Sequence, residues 1–153
     1  MKLATALSER ADIQRRLSQL QTRLNNNAKV QEGEEPAEDP KALLKELDAL
    51  LNRLQKLMAQ INLTNSRTVS GGQTLTELIA RRDCLTKRVG IMRSFLDNAS
   101  ARADRYSQKE IKVLSTVSVS TLQKQVDAVS RELREVDEQI QSLNWTTELI
   151  EKL

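Results

Sequence analysis

Two arginines occupy positions where the surrounding pattern predicts apolar side chains. Arg10 and Arg82 fall on the apolar seams of two predicted helices, at matched places in two similar segments. Asp137 is expected at about the same height on a further helix. The leading interpretation is an ion pair, partly or fully buried, that fixes the register of the helices. A cationic pocket for a carboxylate or phosphate, or arginines that reach out to the solvent, are the alternatives.

The remaining residue types offer little catalytic or metal chemistry. The chain has no histidine, so its one cysteine, Cys84, has no Cys-His partnership, and a bundle di-metal site would lack its usual Glu-x-x-His motifs. The acidic run from Glu32 to Asp39 lacks the alternating ligands of a calcium-binding loop. We therefore expect no catalytic residues, no metal site and no cofactor, and a protein that is not an enzyme.

Composition also narrows the partners and the compartment. The 153 residues carry a net charge of only +3, and their basic residues are interleaved with acids, so nucleic acid is an unlikely partner. No stretch approaches the ~20 apolar residues of a membrane span, and the apolar run Leu3 to Leu7 is too short for a signal-peptide core. With a single cysteine as well, we expect a cytoplasmic protein that does not bind membranes.

Four segments repeat apolar residues at alternating three- and four-residue steps, which predicts four long helices. Three further apolar residues, Leu44, Leu51 and Met58, widen the seam of the second helix, and a stripe that wide suits the core of a helical bundle. The four seams are Leu3, Ala6, Arg10, Ile13, Leu17, Leu20 and Leu24; Leu43, Leu47, Leu50, Leu54, Leu57 and Ile61; Leu75, Leu78, Arg82, Leu85, Val89, Met92 and Leu96; and Leu122, Val126, Val129, Leu133, Val136, Ile140 and Leu143.

The second half of the chain repeats the first. Residues 43–61 align without gaps on residues 122–140, with seven of the nineteen positions identical, and residues 3–24 align on residues 75–96. This duplication predicts two related helical hairpins. We expect a single, mainly all-α domain, an antiparallel four-helix bundle with hairpin one at residues 1–62, a linker at 63–73 and hairpin two at 74–153.

Local signals mark the helix starts. Asp39 with Pro40 and the capping box from Thr74 to Glu77 predict the starts of the second and third helices. Ser118 is the expected cap of the fourth helix, with Ser120 as its rival. The segment 111–119 is rich in β-branched residues and could form a short strand, with residues 29–31 as a possible partner.

Several segments resemble a family of small, all-helical bacterial proteins of unassigned function, some of which are labelled septicolysin. The segments are VQEGEEPAEDP, INLTNS, LTELIARRDCLTKR, RYSQKEIKVLSTVSVSTLQKQVD and NWTTEL, and the resemblance covers essentially the whole chain. The label implies a secreted, pore-forming haemolysin. The sequence departs from that expectation, because it has no export signal and only three aromatic residues for a membrane-interface belt.

The sequence thus favours a non-enzymatic helical interaction or scaffold protein that self-associates as a homo-oligomer, with any other protein partner unknown. The long heptads and the wide leucine stripe on the second helix support this hypothesis. The alternatives are binding of an anion or small ligand through Arg10 and Arg82 and, last, the cytolysin that the family label implies.

Overall fold

The fold consists almost entirely of helices. The computed structural model describes residues 1–101 and 111–153. Its elements are α1 (Leu3–Asn26), α2 (Pro40–Arg67), β1 (Val69–Ser70), β2 (Gln73–Thr74), α3 (Leu75–Ser100) and α4 (Val119–Thr146). The predicted all-α class with a minor two-stranded element is confirmed. In the described part of the chain, no helix is apolar over a length that could cross a bilayer.

The helices begin where the capping signals predict. Pro40 is the first residue of α2, and the Asp39 carboxylate accepts a hydrogen bond from the amide of Lys41 at 3.0 Å. Ser118 rather than Ser120 precedes α4, since its hydroxyl accepts from the amide of Thr121 at 3.4 Å. Each polar side chain satisfies an amide that the first helical turn leaves without a backbone partner.

All four predicted seams face inward. Every seam residue is buried or half-buried, the two seam arginines included, and Leu3, Leu20, Leu57, Leu75, Leu78 and Ile140 are almost fully buried. The prediction is wrong for the three residues that widen the α2 seam, because Leu44, Leu51 and Met58 are exposed. Periodicity identifies an apolar face, but it does not say what covers that face.

The small sheet follows α2 in the sequence and belongs to the first hairpin's half of the chain. β1 pairs with β2 in antiparallel fashion, with Val69 opposite Thr74 and Ser70 opposite Gln73. Gly71 and Gly72 form the two-residue turn with φ of 60° and 79°, values that a tight hairpin turn demands and that glycine adopts without strain. The prediction of a strand at 111–119 paired with 29–31 is wrong, because neither segment lies in a strand.

Two compact units make up the described chain. The first comprises Met1–Leu75 and Leu143–Leu153, and the second comprises Thr76–Ser142. α2 continues to Arg67, five residues into the segment predicted as a linker. The arrangement of the two hairpins in one bundle stays a prediction.

In the first unit α1 and α2 form an antiparallel hairpin. Glu9, early in α1, contacts Arg53 in the second half of α2, whereas Arg23, late in α1, contacts Glu46 near the start of α2. Buried seam leucines of both helices, such as Leu20 and Leu57, remove apolar area from water and so stabilise the hairpin.

A tail formed by residues 147–153 also belongs to the first unit. Lys2 and Glu148 form an antiparallel β-bridge, in which the amide of Leu3 donates to the carbonyl of Thr147 at 2.9 Å. The amide of Leu149 donates to the carbonyl of Met1 at 2.8 Å, and the Leu149 side chain is buried. The tail therefore holds the first residues of the chain in place.

The tail is also bound to the C-terminal part of α2. Buried Gln60 donates from its Nε2 to the carbonyl of Glu151 at 2.8 Å. The hydroxyl of buried Thr64 accepts from the amide of Ile150 at 2.9 Å and donates to the carbonyl of Gln60 at 2.7 Å. The tail backbone thus supplies partners for the Nε2 of Gln60 and the hydroxyl of Thr64, whereas the buried Oε1 of Gln60 has no hydrogen-bond partner in the described part of the chain.

The second unit pairs α3 with α4, also in antiparallel directions. Leu96 near the end of α3 clusters with Leu122 and Val126 at the start of α4. Arg82 near the start of α3 lies beside Asp137 near the end of α4. The two helices that the duplication aligns, α2 and α4, thus occupy equivalent places in their hairpins.

Candidate functional site

Of the three residues predicted to form a charged layer, the second unit brings two together. Arg82 on α3 places its Nη1 3.7 Å from the Oδ1 of Asp137 on α4, and its Nη2 3.3 Å from the Oδ1 of Asp83. The Arg82 side chain is 30% exposed, so water screens the pair and its contribution to stability is within about 0–1 kcal/mol. Two carboxylates already contact this guanidinium, which favours the ion-pair interpretation over an open anion pocket.

Arg10 lies half-buried on α1, in the first unit. Its membership of a layer with Arg82 and Asp137 stays a prediction.

Arg53 and Arg23 form ion pairs that the sequence did not predict, and these pairs join α1 to α2 and to the acidic loop before it. Arg53 donates two hydrogen bonds to the Glu9 carboxylate, one from its Nε at 2.6 Å and one from its Nη2 at 2.8 Å. Arg23 donates to Glu38 at 2.7 Å and also contacts Glu46 at 3.4 Å. The bidentate geometry matches the planar guanidinium to a carboxylate and fixes the register of the hairpin.

These pairs shift the pKa values of their carboxyl groups. The Arg53 hydrogen bonds hold the pKa of Glu9 below its usual value, and Arg23 does the same for Glu38. In the tail, the Lys2 ammonium lowers the pKa of Glu148. In each case the cation favours the charged form of the acid more than burial disfavours it.

Stability should therefore fall on acidification. A carboxyl group whose pKa is lower in the folded chain stabilises the fold above its unfolded pKa, near 4.3, and loses that contribution as pH falls through the folded pKa. We expect the urea midpoint to decrease below about pH 4.5. Glu9→Gln should cost at most about 1 kcal/mol at pH 7, and its deficit should vanish at low pH. Urea titrations of both chains at several pH values measure this. A deficit that stays constant down to low pH would show that Glu9 acts through packing instead.

Residues 1–101 and 111–153 contain no assembled site for metal or thiol chemistry. No group of three or more carboxylate or cysteine side chains there is placed to hold a metal ion. Cys84 is a free, exposed cysteine on α3. The acidic loop is partly used for structure, since Glu38 is bound to Arg23, and its amide donates to the Oδ1 of Asn27 at 3.0 Å.

The surface that stands out is an apolar stripe on α2, which we call the α2 stripe and define as Leu44, Leu51 and Met58. Their exposed fractions are 49%, 44% and 45%. Seven residues are nearly two helical turns, so the three side chains lie in a row over about 21 Å of the helix. Half-buried Leu47 and Leu54 connect the row to the hairpin core.

The outward edge of the α2 stripe carries few charges. Helical geometry places Asp48, Gln55 and Asn62 within about 60° of the stripe, and all three are exposed. Asp48 is the one ionised residue among them, and exposed Lys41 lies one turn before Leu44 at the N-terminal end. Depletion of charge around large apolar side chains is typical of the centre of a protein interface.

A groove lies beside the C-terminal half of the α2 stripe. It has a volume of about 320 Å³ and is lined by Asn52, Gln55, Lys56, Ala59 and Leu153. The tail thus brings Leu153, an exposed apolar side chain, to the side of α2.

Comparison with known proteins assigns a family. Residues 10–149 match a family of unknown function (DUF6847). The chain belongs to this family. The solved structure of a functionally unknown conserved protein from Corynebacterium diphtheriae shares 43% identity with this member of DUF6847 and has a TM-score of 0.91. The similarity covers 97% of this chain and 98% of the other. No curated protein matches the sequence.

These findings confirm the expectation of an uncharacterised helical family. The description of DUF6847 carries no septicolysin label. The cytolysin that the resemblance implies stays a prediction.

Proposed function

We propose that this member of DUF6847 is a non-enzymatic helical interaction protein that self-associates through the α2 stripe. The observation that carries the proposal is the contrast between the two copies of the duplication. The alignment of α2 with α4 places Gln123, Ser130 and Asp137 at the positions of the stripe. The hairpin of α3 and α4 therefore forms without apolar residues at these three positions of α4.

In α4 each of these positions has a polar contact. Gln123 donates to Asp127 at 3.0 Å, Ser130 accepts from Arg93 at 3.4 Å, and Asp137 pairs with Arg82. In α2 the equivalent side chains are large, apolar and about half exposed. Single exposed leucines are common in folded proteins, but a regular row of large apolar side chains marks a surface that another molecule covers.

The expected affinity is modest. Full burial of a leucine or methionine side chain contributes about 1.5–3 kcal/mol, so six half-exposed side chains in a pair of molecules contribute roughly 5–9 kcal/mol. Association costs at least about 4 kcal/mol in lost freedom of motion. The remainder is at most about 5 kcal/mol, which corresponds to a dissociation constant of about 0.2 mM or weaker, and concentrations near the millimolar range should populate the dimer.

Sedimentation velocity over a dilution series from about 1 μM to 1 mM tests the proposal. We expect the wild-type chain to shift from monomer to dimer across this range. Leu51→Asp should keep the chain monomeric at every concentration, because a carboxylate at the centre of the stripe would have to lose its water.

Ile91→Asp is the matched control, since Ile91 is 71% exposed on α3 and lies outside the stripe. This variant should associate like the wild-type chain. A wild-type chain that is monomeric at all concentrations, or equal loss of association in both variants, would contradict the proposal.

The other two functions have less support. Anion binding by Arg10 and Arg82 would require Arg82 to exchange the carboxylates of Asp83 and Asp137 for a ligand. A thermal shift with phosphorylated metabolites would be its evidence. The cytolysin is still the least favoured alternative, and lysis of erythrocytes by the purified protein is the test for it.

A further inference from the structure

We infer that two copies pair through the α2 stripe with their α2 helices antiparallel and with Leu51 of each copy at the twofold axis. The inference rests on the proposed self-association and adds the partner's orientation and register.

The spacing of the stripe is symmetric about its centre. Leu44 and Met58 lie seven residues before and after Leu51. In a twofold interface the same patch of both copies must complement itself. An antiparallel pair centred on Leu51 places Leu44 of each copy against Met58 of the other. All three apolar anchors are then covered in both molecules.

The groove beside the stripe distinguishes the two possible directions. It lies at the Met58 end, where Gln55, Ala59 and Leu153 form part of its wall. Antiparallel pairing brings the protruding Leu44 end of each copy to the groove of the other. Parallel pairing would place the two grooves opposite each other, so that neither groove would receive a projecting side chain.

The charges around the stripe favour the same direction. Lys41 and Lys45 are exposed near the Leu44 end, and Lys56 lines the groove near the other end. Parallel pairing would place Lys41, Lys45 and Asp48 each opposite the same residue of the other copy, and like charges repel each other. Antiparallel pairing separates the two Lys45 positions by about 18 Å and the two Lys41 positions by about 30 Å along the helix, and it brings Lys56 of each copy to the level of both Lys45 and Asp48 of the other, so that repulsion and attraction offset there. It also brings Asp48 of each copy close to Gln55 of the other, and an amide can donate to that carboxylate.

Disulfide cross-linking tests the orientation. Variants Leu44→Cys, Leu51→Cys and Met58→Cys are made in a Cys84→Ser background and oxidised alone and in equimolar mixtures. A disulfide needs Cα atoms within about 7 Å, whereas two Leu44 positions of an antiparallel pair lie about 21 Å apart along the helix. We expect Leu51→Cys to cross-link to itself. Mixed Leu44→Cys and Met58→Cys should give at least about tenfold more heterodimer than homodimer.

Ala49→Cys, in the same background, provides the collision control, because Ala49 is exposed on the opposite face of α2. A predominance of Leu44→Cys homodimers, or cross-linking at every position equal to that of the control, would overturn the antiparallel register. Sedimentation of the same variants before oxidation separates the two failures. Dimers with the wrong cross-links would contradict only the register, whereas monomers at all concentrations would contradict the proposed function as well.

Discussion

Replacing Leu57 by alanine is expected to lower the free energy of unfolding by about 2–5 kcal/mol, one of the two largest effects of any change considered for this chain. Leu57 is fully buried in the first unit. The substitution removes apolar atoms from the core and leaves a cavity that the surrounding side chains fill only in part. Urea denaturation followed by circular dichroism measures the change, at a concentration low enough for the monomer to predominate.

Leu51→Ala is the matched comparison, because it makes the same chemical change six residues earlier on the same helix. Leu51 is about half exposed, so its loss should change the stability of the monomer by less than about 1 kcal/mol. In the association assay the order of the two effects should reverse. There Leu51→Ala should weaken dimer formation, whereas Leu57→Ala should act only through folding. Equal destabilisation by both variants would mean that Leu51 is covered within the monomer.

Removal of residues 147–153 is expected to lower the free energy of unfolding by roughly 3–5 kcal/mol. The truncation exposes the apolar site that Leu149 fills. It also removes the backbone partners of Gln60, Thr64 and Leu3. Hydrogen exchange should show faster exchange at the amide of Leu3, in addition to the lower urea midpoint, because that amide loses its acceptor.

Glu148→Gln isolates the charges of the tail from its packing and backbone bonds. It removes the ion pairs with Lys2 and with the amino group of Met1, which are exposed to solvent. Its effect on stability should be much smaller than that of the truncation, since water screens exposed pairs. If the truncated chain kept the midpoint of the full chain, the tail would not be part of the folded unit.

Much of the fold could be predicted from the sequence because helices leave two strong local signals. Heptad spacing identified the inward faces, and capping residues such as Asp39 and Ser118 identified starts. The duplication in the sequence identified α2 and α4 as equivalent helices. These signals are local, so they can be recognised without knowledge of the tertiary contacts.

The contacts that hold the first unit together were not predictable in the same way. Glu9 and Arg53 are 44 residues apart, and their pairing depends on the register of the hairpin, which no motif specifies. The tail has too short an apolar pattern to predict its bridge with Lys2. The strand at 111–119, in contrast, was predicted but does not form. β-Branched residues in a short segment do not by themselves supply a pairing partner.

The candidate site was predicted only in part. The pairing of Arg82 with Asp137 followed from their matched heights on neighbouring helices. The α2 stripe was recognised as apolar but assigned to the core, because a sequence pattern cannot distinguish a face covered by its own chain from one left for a partner. Comparison of Leu51 with Ser130, its equivalent in the duplicated helix, supplies the missing distinction.

The division of the chain into units has a consequence for its synthesis. The second unit is continuous in sequence, whereas the first is completed by residues that follow it, from Leu143 onward. On the ribosome, the first hairpin is made before the second unit, and it lacks Leu149 and its other partners from residues 143–153 until the second unit has also been made. At roughly 5–20 residues per second, the 67 residues between Leu75 and Leu143 delay completion by about 3–13 s. During that interval the surface destined for the tail, around Gln60 and Thr64, is open to chaperones and to other nascent chains.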